Sequence, residues 1–520
     1  MKRFRPLLTT DHWPLATLLC VALACPAQGQ GTTGVEPPVA STPAKVQKLA
    51  DLTNRYRFSE KYTPDDEKAG PGLVGSCRVG LVEVVRDSVD SPQGAPKRSE
   101  STRQAIFTER PAEAGGLGGV AAVTRTFERF RAKPEDPSRT MGPRPLEGLT
   151  ALIRPKQGEL PQIISLTEGR QLTDYEYDVA AHEVFVPQLA AILPSQALRV
   201  GDTWRIPRKA AQAMLGDPYV LGDTLVGKLS GISKEVDGPR MVASIAIAGK
   251  ATGPAGDSAV NAEALFTFTP ESTLKNFSPR PTFPPRPTED VIEARGAFTE
   301  LRLGRMTTGP LPGPGRLRFQ SNREVILQRQ LGLNAGAVGP ARLEKPPEVA
   351  EANAWLVHVD PAGHYAFRHP QDMLPPERVQ AAAEANTTLL ARIRREGRDM
   401  LQIEFVPKIL APEDLKKELG EKIDALKMEV IKGAEEWLPE ADWPKMRVHR
   451  VEAALKVDPK GGAGNASTRI HFDAYLILFG QSASIMAIAT TSRDAVAPFR
   501  REVEQALKSI QLDPARPAVD

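Results

Sequence analysis

The stretch DTLVGKLSGISKEVDGPRMVASIAIAGKATG, residues 223–253, predicts a β-hairpin. The turn VDGPR separates two runs of mostly small, polar and β-branched residues, and Leu225, Lys228 and Ile232 precede it. After the turn, Val242, Ser244 and Ala246 share one parity, as alternate residues on one face of a strand do. Two such runs around a Gly-containing turn are typical of antiparallel strands.

Similar runs extend outward from this hairpin over residues 51–335, cut by Gly and Pro clusters. They include RYRFSEKYT (55–63), SCRVGLVEVVRDSV (76–89) and AEALFTFTPES (262–272). One helix is expected at 180–193, where AAHEVFVPQLAAIL interrupts the strands. We therefore predict a single large antiparallel sheet, either twisted or closed into a half-barrel. No fixed period repeats, which argues against a solenoid.

A second, unlike pattern begins after NAGAVGPARLEKPPEVAEANA (334–354), of which we interpret 336–354 as the linker. WLVHV (355–359) and HYAFRHP (364–370) read as short strands. APEDLKKELGEKIDALKMEVIKGAEEWL (411–438) reads as one long helix, because apolar residues recur at three- and four-residue spacing. Further strands follow, then a closing helix in AVAPFRREVEQALKSIQL (495–512). The predicted fold class is α+β, with a second domain at 355–513 and a tail at 514–520.

This order of elements resembles the α/β/α sandwich domain of PsbP and the bacterial DcrB-type lipoproteins. The residues that carry the resemblance are those expected to anchor the fold: Tyr365, Phe367, Pro370, Ser509, Ile510 and Leu512. It covers about a third of the chain and implies an exported, non-enzymatic accessory domain, with no catalytic residue to carry over. The N-terminal region, with VGDTW at 200–204, is similar in style to uncharacterised secreted bacterial β-rich proteins.

The first residues have the layout of a secretory signal peptide, which we place at 1–29. Lys2, Arg3 and Arg5 precede an apolar run from Trp13 to Ala24, too short for a membrane span. Lipidation at Cys25 is the alternative, although ALAC departs from the usual lipobox order. A flexible leader is expected at 30–50. The protein is thus expected to be exported to the periplasm or the exterior, without a transmembrane span and with a possible lipid tether.

Charge and cysteine content narrow the function classes. The chain has 67 basic and 64 acidic residues, mixed throughout, so no basic run favours nucleic-acid binding. Cys77 is the one cysteine that clearly lies beyond the signal region, so an internal disulfide is not expected.

Motif searches give no enzyme class. G-x-S-x-G, H-E-x-x-H and P-loop patterns do not occur, and GLGG at 116–119 lacks the lysine a phosphate loop needs. His364 and His369 fall on opposite faces of one strand and cannot share a metal there. His358, His449 and His471 are separate candidates, so we predict no metal site and no cofactor.

Three functions follow in order of preference. The first is a non-enzymatic interaction or accessory module of the cell envelope, with an unknown envelope protein as its partner. The alternative is a carrier or binder of an apolar ligand such as a lipid in the β-rich domain. Such a ligand would need an apolar cavity of about 300–1,000 Å³. The third is a hydrolase whose triad assembles across strands.

Overall fold

The computed structural model divides the chain into two compact units. Glu36–Met373 and Pro498–Asp520 form the large unit, and Leu374–Ala497 belongs to the six-stranded unit. The predicted start of the second domain at residue 355 does not coincide with this division. The strands within 355–370 belong to the large unit. The structure describes residues 46–48, 54–63, 73–90, 96–115, 119–133, 146–156, 159–217, 220, 224–235, 239–253, 256–271, 291–310, 318–332, 343, 345, 347–360, 363–374, 387–394, 397–406, 411–425, 428–455, 470–480, 483–492 and 495–512.

The large unit is built on a 13-stranded, almost wholly antiparallel sheet. Its path runs β1-β11-β12-β13-β14-β15-β5-β6-β7-β8-β9, with β10 paired to β11 and β2 paired in parallel to β14. β3 and β4 form a separate parallel pair. The strands are β1 (Val46–Lys48), β2 (Arg55–Ser59), β3 (Lys61–Tyr62), β4 (Leu73–Val74), β5 (Cys77–Asp90), β6 (Lys97–Ala114), β7 (Val120–Lys133), β8 (Thr150–Arg154), β9 (Gln162–Ser165), β10 (Thr203–Arg205), β11 (Val226–Glu235), β12 (Met241–Gly253), β13 (Gly256–Glu271), β14 (Val291–Pro310) and β15 (Arg318–Leu331).

The hairpin expected at 223–253 is confirmed. β11 and β12 pair antiparallel from Lys234↔Met241 to Val226↔Ala248. The buried face of β12 is the odd-numbered one, with Ala243, Ile245 and Ile247 inside the core. Buried and less buried residues therefore alternate with period two along β12, as expected for a sheet with one face packed against the core.

The single helix expected at 180–193 is wrong. Two short helical elements occupy this region, α1 (Asp174–Ala181) and a 3-10 helix (Val186–Ile192). Pro187 stands at the start of the second, where its missing N–H is tolerated, and Phe185 before it is extended. A further helix, α2 (Arg208–Leu215), follows β10.

One arginine of the sheet holds two of these elements. Arg323 of β15 donates to the carbonyl oxygens of Leu215 and His182, which lie at the C-terminal ends of α2 and α1. A cation at this end also suits the helix dipole. Gly216 ends α2 at φ 61°, and a Cβ there would lie 2.3 Å from the His182 carbonyl oxygen. Glycine is therefore required at this close approach.

After β15 the large unit continues through α3 (Glu351–Ala354), β16 (Trp355–Val359) and β17 (Tyr365–Pro370). β16 and β17 pair antiparallel, with His358 opposite Phe367. Tyr365, Phe367 and His369 are buried on one face of β17.

The six-stranded unit is an antiparallel sheet of order β18-β19-β23-β22-β21-β20, and its described residues also form α4 (Pro412–Ala425) and a short 3-10 helix (Glu440–Asp442). Leu415, Leu419 and Ile423 of α4 belong to the same buried cluster as sheet residues of one face, including Val451, Phe472 and Leu476. The strands are β18 (Thr387–Arg394), β19 (Gly397–Val406), β20 (Met428–Trp437), β21 (Arg447–Leu455), β22 (Ile470–Phe479) and β23 (Ala483–Ser492).

The long helix expected at 411–438 is wrong in its second half. α4 ends at Ala425, and β20 begins at Met428 as an edge strand of the sheet. Gly433 adopts φ 78° within a bulge of β20. The spacing of the apolar residues in this segment fits a helix and an irregular strand equally. Hydrogen bonding to β21 makes the segment a strand.

The chain returns through α5 (Val496–Lys508) and β24 (Gln511–Leu512). β24 pairs with β17, placing Leu512 opposite Tyr365. Ser509 accepts a hydrogen bond from the Arg368 backbone N–H at 2.7 Å. Ile510 is buried, whereas Pro370 and Leu512 are half-buried. The anchoring residues proposed at the two ends of 355–513 thus meet within the large unit.

Several predictions fall outside the described residues. The signal peptide at 1–29, with Cys25, and the tail at 514–520 lie there. Of the leader expected at 30–50, the structure describes β1 alone, which pairs with β11. Among the helices that the structure describes, none combines the length and the apolar character needed to cross a membrane.

Candidate ligand-binding groove

An open groove of about 480 Å³ lies on the large unit. One wall is the segment 58–62, which comprises the end of β2, Glu60 and β3, and the other is the end of the 3-10 helix with residues 193–195. Apolar lining comes from Phe58, Tyr62, Ala190, Ala191, Leu193 and Pro194. Polar lining comes from Ser59, Glu60, Lys61 and Ser195.

Backbone hydrogen bonds tie the two walls together. Tyr56 donates its N–H to the Leu198 carbonyl oxygen at 2.7 Å, and Leu198 donates to the Tyr56 carbonyl oxygen at 2.8 Å. Beneath this bridge, Tyr56 and Phe58 pack edge-on against Phe268 of β13, with ring centroids 6.0 and 5.7 Å apart. The wall nearest β2 is therefore fixed to the aromatic core of the sheet.

The second wall is held by the VGDTW segment. Trp204 donates its indole N–H to the Ile192 carbonyl oxygen at 2.8 Å, at the end of the 3-10 helix. A Cβ on Gly227 would lie 2.6 Å from the Trp204 ring, so glycine at this position of β11 makes room for the indole. Asp202 accepts from the Arg199 N–H and closes the turn before the strand. VGDTW thus positions the groove wall.

A buried ion pair lies beside the groove. Arg329 of β15 donates to Glu60 at 2.5 Å, and both side chains are 0% exposed. Tyr62 donates its hydroxyl to the same Glu60 oxygen at 2.5 Å, and Arg329 also contacts the Cys77 sulfur at 3.3 Å. Glu60 therefore has a cation and a hydroxyl as partners, as a fully buried carboxylate requires.

Burial keeps the two weak acids of this cluster neutral. It raises the pKa of Tyr62 well above its usual range and raises the pKa of the Cys77 thiol, although Arg329 opposes both shifts. A thiol must ionise to act as a nucleophile. Cys77 is therefore a buried packing group with a weak sulfur acceptor, and its surroundings do not activate it.

The enclosed space beneath α1 is much smaller than the groove. A cavity of about 10 Å³ lies between α1 and the sheet, lined in part by Glu83, Arg103, Glu183 and Arg323. That volume is about one water molecule. A space of this size cannot hold a lipid chain.

Next to this small cavity, one buried arginine forms ion pairs with two carboxylates. Arg125 contacts Glu109 at 2.8 Å and Glu183 at 2.5 Å, and its guanidinium lies 4.0 Å from the centre of the Phe107 ring. Burial raises the pKa of Glu183 to about 7, because the attraction of Arg125 is outweighed by desolvation and by nearby Glu83. One cation does not compensate both carboxylates here.

Two of the histidines meet on one carboxylate that sequence reasoning did not single out. Asp174, the first residue of α1, accepts from His358 Nδ1 and from His369 Nε2, each at 2.6 Å. Burial opposes ionisation of Asp174, but the two histidines outweigh it and hold the pKa of this carboxyl below its usual range. The available sequence signal was Thr173-x-x-Glu176, which forms a capping box and marks the helix start.

The remaining histidines occupy other places. His364 contacts Asp360 at 2.9 Å, so it does not share a partner with His369, as its opposite parity predicts. His449 of β21 lies 3.1 Å from Glu435 and packs against Trp437 with ring centroids 5.0 Å apart. His471 lies on β22.

Comparison with known proteins gives no family. No protein-family model matches the chain, and no curated protein matches it. A structure describing lipid–protein interactions in lipovitellin is 9% identical, with a TM-score of 0.23, over 52% of this chain and 27% of that one. This chain therefore spans about a quarter of the lipovitellin chain.

Two bacterial structures give still lower scores. Ail, the attachment invasion locus protein of Yersinia pestis, is 4% identical, covering 49% of this chain and 99% of that one, with a TM-score of 0.11. A LolA superfamily protein of Nitrosomonas europaea is 8% identical, covering 49% and 84%, with a TM-score of 0.12. Scores this low support no inference about fold or function.

Proposed function

We propose that the large unit binds a small apolar or amphipathic ligand in the groove between residues 58–62 and 190–195. The observation that carries the proposal is the groove itself. Its volume of about 480 Å³ lies in the range of about 300–1,000 Å³ that small-molecule sites occupy. Its apolar walls and few polar groups are also typical of such sites.

The distribution of polar groups favours a ligand with one polar end. Lys61 is exposed and lines the groove together with the hydroxyl residues Ser59 and Ser195. Glu60 is neutralised by Arg329, so the charge that the groove offers to a ligand is the ammonium of Lys61. A single chain with an anionic head group would match this arrangement.

The packing of the sheet restricts where such a ligand lies. A carrier that encloses a lipid would need a large interior cavity, and the space beneath α1 holds about 10 Å³. The proposal is therefore for a surface groove that holds part of a ligand, and it differs from enclosure by a half-closed sheet.

The test begins with the full chain purified without detergent. Mass spectrometry of its organic extract is expected to show a stoichiometric amphiphile, and a fluorescent fatty acid is expected to bind saturably. Ala191→Phe places a ring in the groove and is expected to weaken binding at least about tenfold, since one large apolar group displaces the ligand from its walls. Lys61→Met is expected to weaken anionic more than uncharged amphiphiles.

Ala425→Phe is the matched control. Ala425 is the exposed last residue of α4, outside the groove, and the same substitution there should leave binding unchanged. Absence of saturable binding, or equal binding by Ala191→Phe and Ala425→Phe, would exclude the groove as the site.

The cellular setting of this binder is also a proposal. We infer an exported, non-enzymatic envelope protein from the residues of the signal pattern. We also propose the PsbP-like reading of 355–513, in which Tyr365 pairs with Leu512 and Ser509 contacts β17, although both contacts lie in the large unit and 374–497 belongs to the other unit. N-terminal sequencing of protein expressed in a bacterial host is the test: cleavage near residue 29 supports export, and an intact Met1 opposes it.

A further inference from the structure

Three potential metal ligands converge on one face of the six-stranded unit. They are Glu452 of β21 and His471 and Asp473 of β22. The His471 Nε2 atom lies 3.2 Å from an Asp473 oxygen and 4.0 Å from a Glu452 oxygen, and all three ligand atoms lie within 4.8 Å of one another.

The sheet itself produces this convergence. His471 and Asp473 are two residues apart on one strand, so they share a face. Glu452 is the direct cross-strand partner of Asp473 in the antiparallel register, and Ala454 is the partner of His471. Both strands are regular here, so the site lies on rigid backbone.

The charges at this position favour a cation. Like charges directly opposite each other on adjacent strands are destabilising. Arg450 approaches Glu452 to 3.6 Å, but its Nη2 also contacts Glu436. Asp473 is 4% exposed and Glu452 is 22% exposed. Two carboxylates and one imidazole therefore meet at a partly desolvated position, and this donor set suits a divalent transition metal.

The spacing also fits a transition metal. Zn²⁺ binds imidazole nitrogen and carboxylate oxygen at about 2.0–2.2 Å, which in a tetrahedral site separates neighbouring ligand atoms by about 3.3–3.6 Å. The His471–Asp473 pair, at 3.2 Å, is close to this separation. Closing the gap from His471 to Glu452 requires about half an ångström of movement by a carboxylate that is partly exposed.

From this geometry we propose a divalent transition-metal site of the Zn²⁺ type at Glu452, His471 and Asp473. One nitrogen and two carboxylate ligands leave at least one position for water, which distinguishes the site from closed structural zinc sites. The prediction of no metal site compared histidines with one another. It did not consider that a neighbouring strand supplies a second carboxylate.

The test is titration of the full chain with ZnCl₂ after treatment with a chelator. Isothermal titration calorimetry is expected to show one equivalent bound by this site. His471→Ala and Asp473→Asn each remove a ligand and are expected to weaken binding about 100-fold or more, beyond the 10–100-fold cost of losing an outer-shell partner.

His364→Ala is the matched control, because His364 also contacts a carboxylate, Asp360, at 2.9 Å in the large unit. It should bind Zn²⁺ like the unaltered chain. Glu452→Gln preserves shape at a partly exposed position and keeps the test decisive if His471→Ala does not fold. The proposal is overturned if the unaltered chain shows no saturable binding. Equal affinities of His471→Ala, Asp473→Asn and His364→Ala would also overturn it.

Discussion

Two charge networks on β15 and its neighbours differ mainly in their exposure to solvent. Arg329 and Glu60 are wholly buried and share their hydrogen bonds with Tyr62 and Cys77. Toward the other end of the same strands, Arg86 joins Glu100 and Glu324 at 2.9 Å each, with about half of each side chain exposed. Similar ion pairs thus occur in two very different dielectric environments.

The contribution of an ion pair to the stability of this fold depends on how deeply the pair is buried. An exposed ion pair contributes about 0–1 kcal/mol, because water and salt screen it. Removing one member of a buried pair costs about 3–5 kcal/mol, because the other charge remains desolvated. The buried pair lies beside the proposed groove, so its loss should affect both the fold and the ligand site.

The largest expected effect is that of Arg329→Met. This change leaves the Glu60 carboxylate buried without its cation and should lower the free energy of unfolding by about 3–5 kcal/mol. Chemical denaturation monitored by near-ultraviolet circular dichroism measures it. Arg86→Met is the control, and an equal loss from both variants would remove the distinction between the two networks.

Glu183 tests an intermediate case, in which one arginine faces two buried carboxylates. Its pKa is raised from 4.5 to about 7, so between these values the folded state binds the proton more tightly than the unfolded chain. The free energy of unfolding should therefore fall as pH rises from about 4.5 to 7. Glu183→Gln removes this dependence and should stabilise the protein by up to about 3 kcal/mol at pH 8, at about 1.4 kcal/mol per pKa unit.

Stability curves from pH 4 to 8 for the unaltered chain and Glu183→Gln make this comparison. Parallel curves would show that the pKa of Glu183 is the same in the folded and unfolded states. The cluster would then resemble the fully compensated Arg329–Glu60 pair.

Asp174 tests a buried carboxylate with two histidine partners. Because its pKa is lowered, its contribution is present above the ordinary value of 3.8 and is lost as pH falls below it. Asp174→Asn should cost about 2 kcal/mol at pH 7, since hydrogen bonds to a charged group contribute about 1.5–3 kcal/mol. Unfolding free energies at pH 7 and pH 3 should differ less in this variant than in the unaltered chain.

Asp178→Asn is the control for Asp174, because Asp178 lies one turn further along α1 and is 55% exposed beside His182. A cost equal to that of Asp174→Asn would show that two histidine partners contribute no more than the single partner His182 of the more exposed Asp178.

The smallest expected effect is that of Arg86→Ala. Loss of the exposed pairs to Glu100 and Glu324 should cost less than about 1 kcal/mol at low salt and still less at 1 M salt, where charges are screened within about 3 Å. Denaturation at two salt concentrations checks it. A salt-independent cost would point to packing of the arginine stem against the strands.

The strands were largely predictable from sequence, because a half-buried strand shows its period directly. The β11–β12 hairpin illustrates this, since Ala243, Ile245 and Ile247 alternate with half-buried residues. The helix expected at 411–438 failed beyond Ala425, because apolar residues at Val430, Ala434 and Trp437 fit a helical stripe but lie on an edge strand. The residues of 411–438 alone do not reveal that the second half of this segment pairs with β21.

The candidate sites were less predictable, because their residues are far apart in the sequence. His358, His369 and Asp174 meet across about 190 positions, and Glu60 meets Arg329 across 269. Motif searches detect residues at short fixed spacing, so none of these pairs gave a signal. The VGDTW segment was noticed, but its role in holding Ile192 through Trp204 depends on Gly227 of a neighbouring strand.

Sequence alone was enough to predict the antiparallel β-rich character of the first two thirds, since alternation with period two is a local property of each strand. It also predicts a signal peptide at 1–29, which lies outside the described residues. The tertiary structure alone decided which charges are buried together, where the groove lies, and that Glu452 faces Asp473. Those outcomes depend on strand order and register, which are set by the burial of whole faces and not by any single segment.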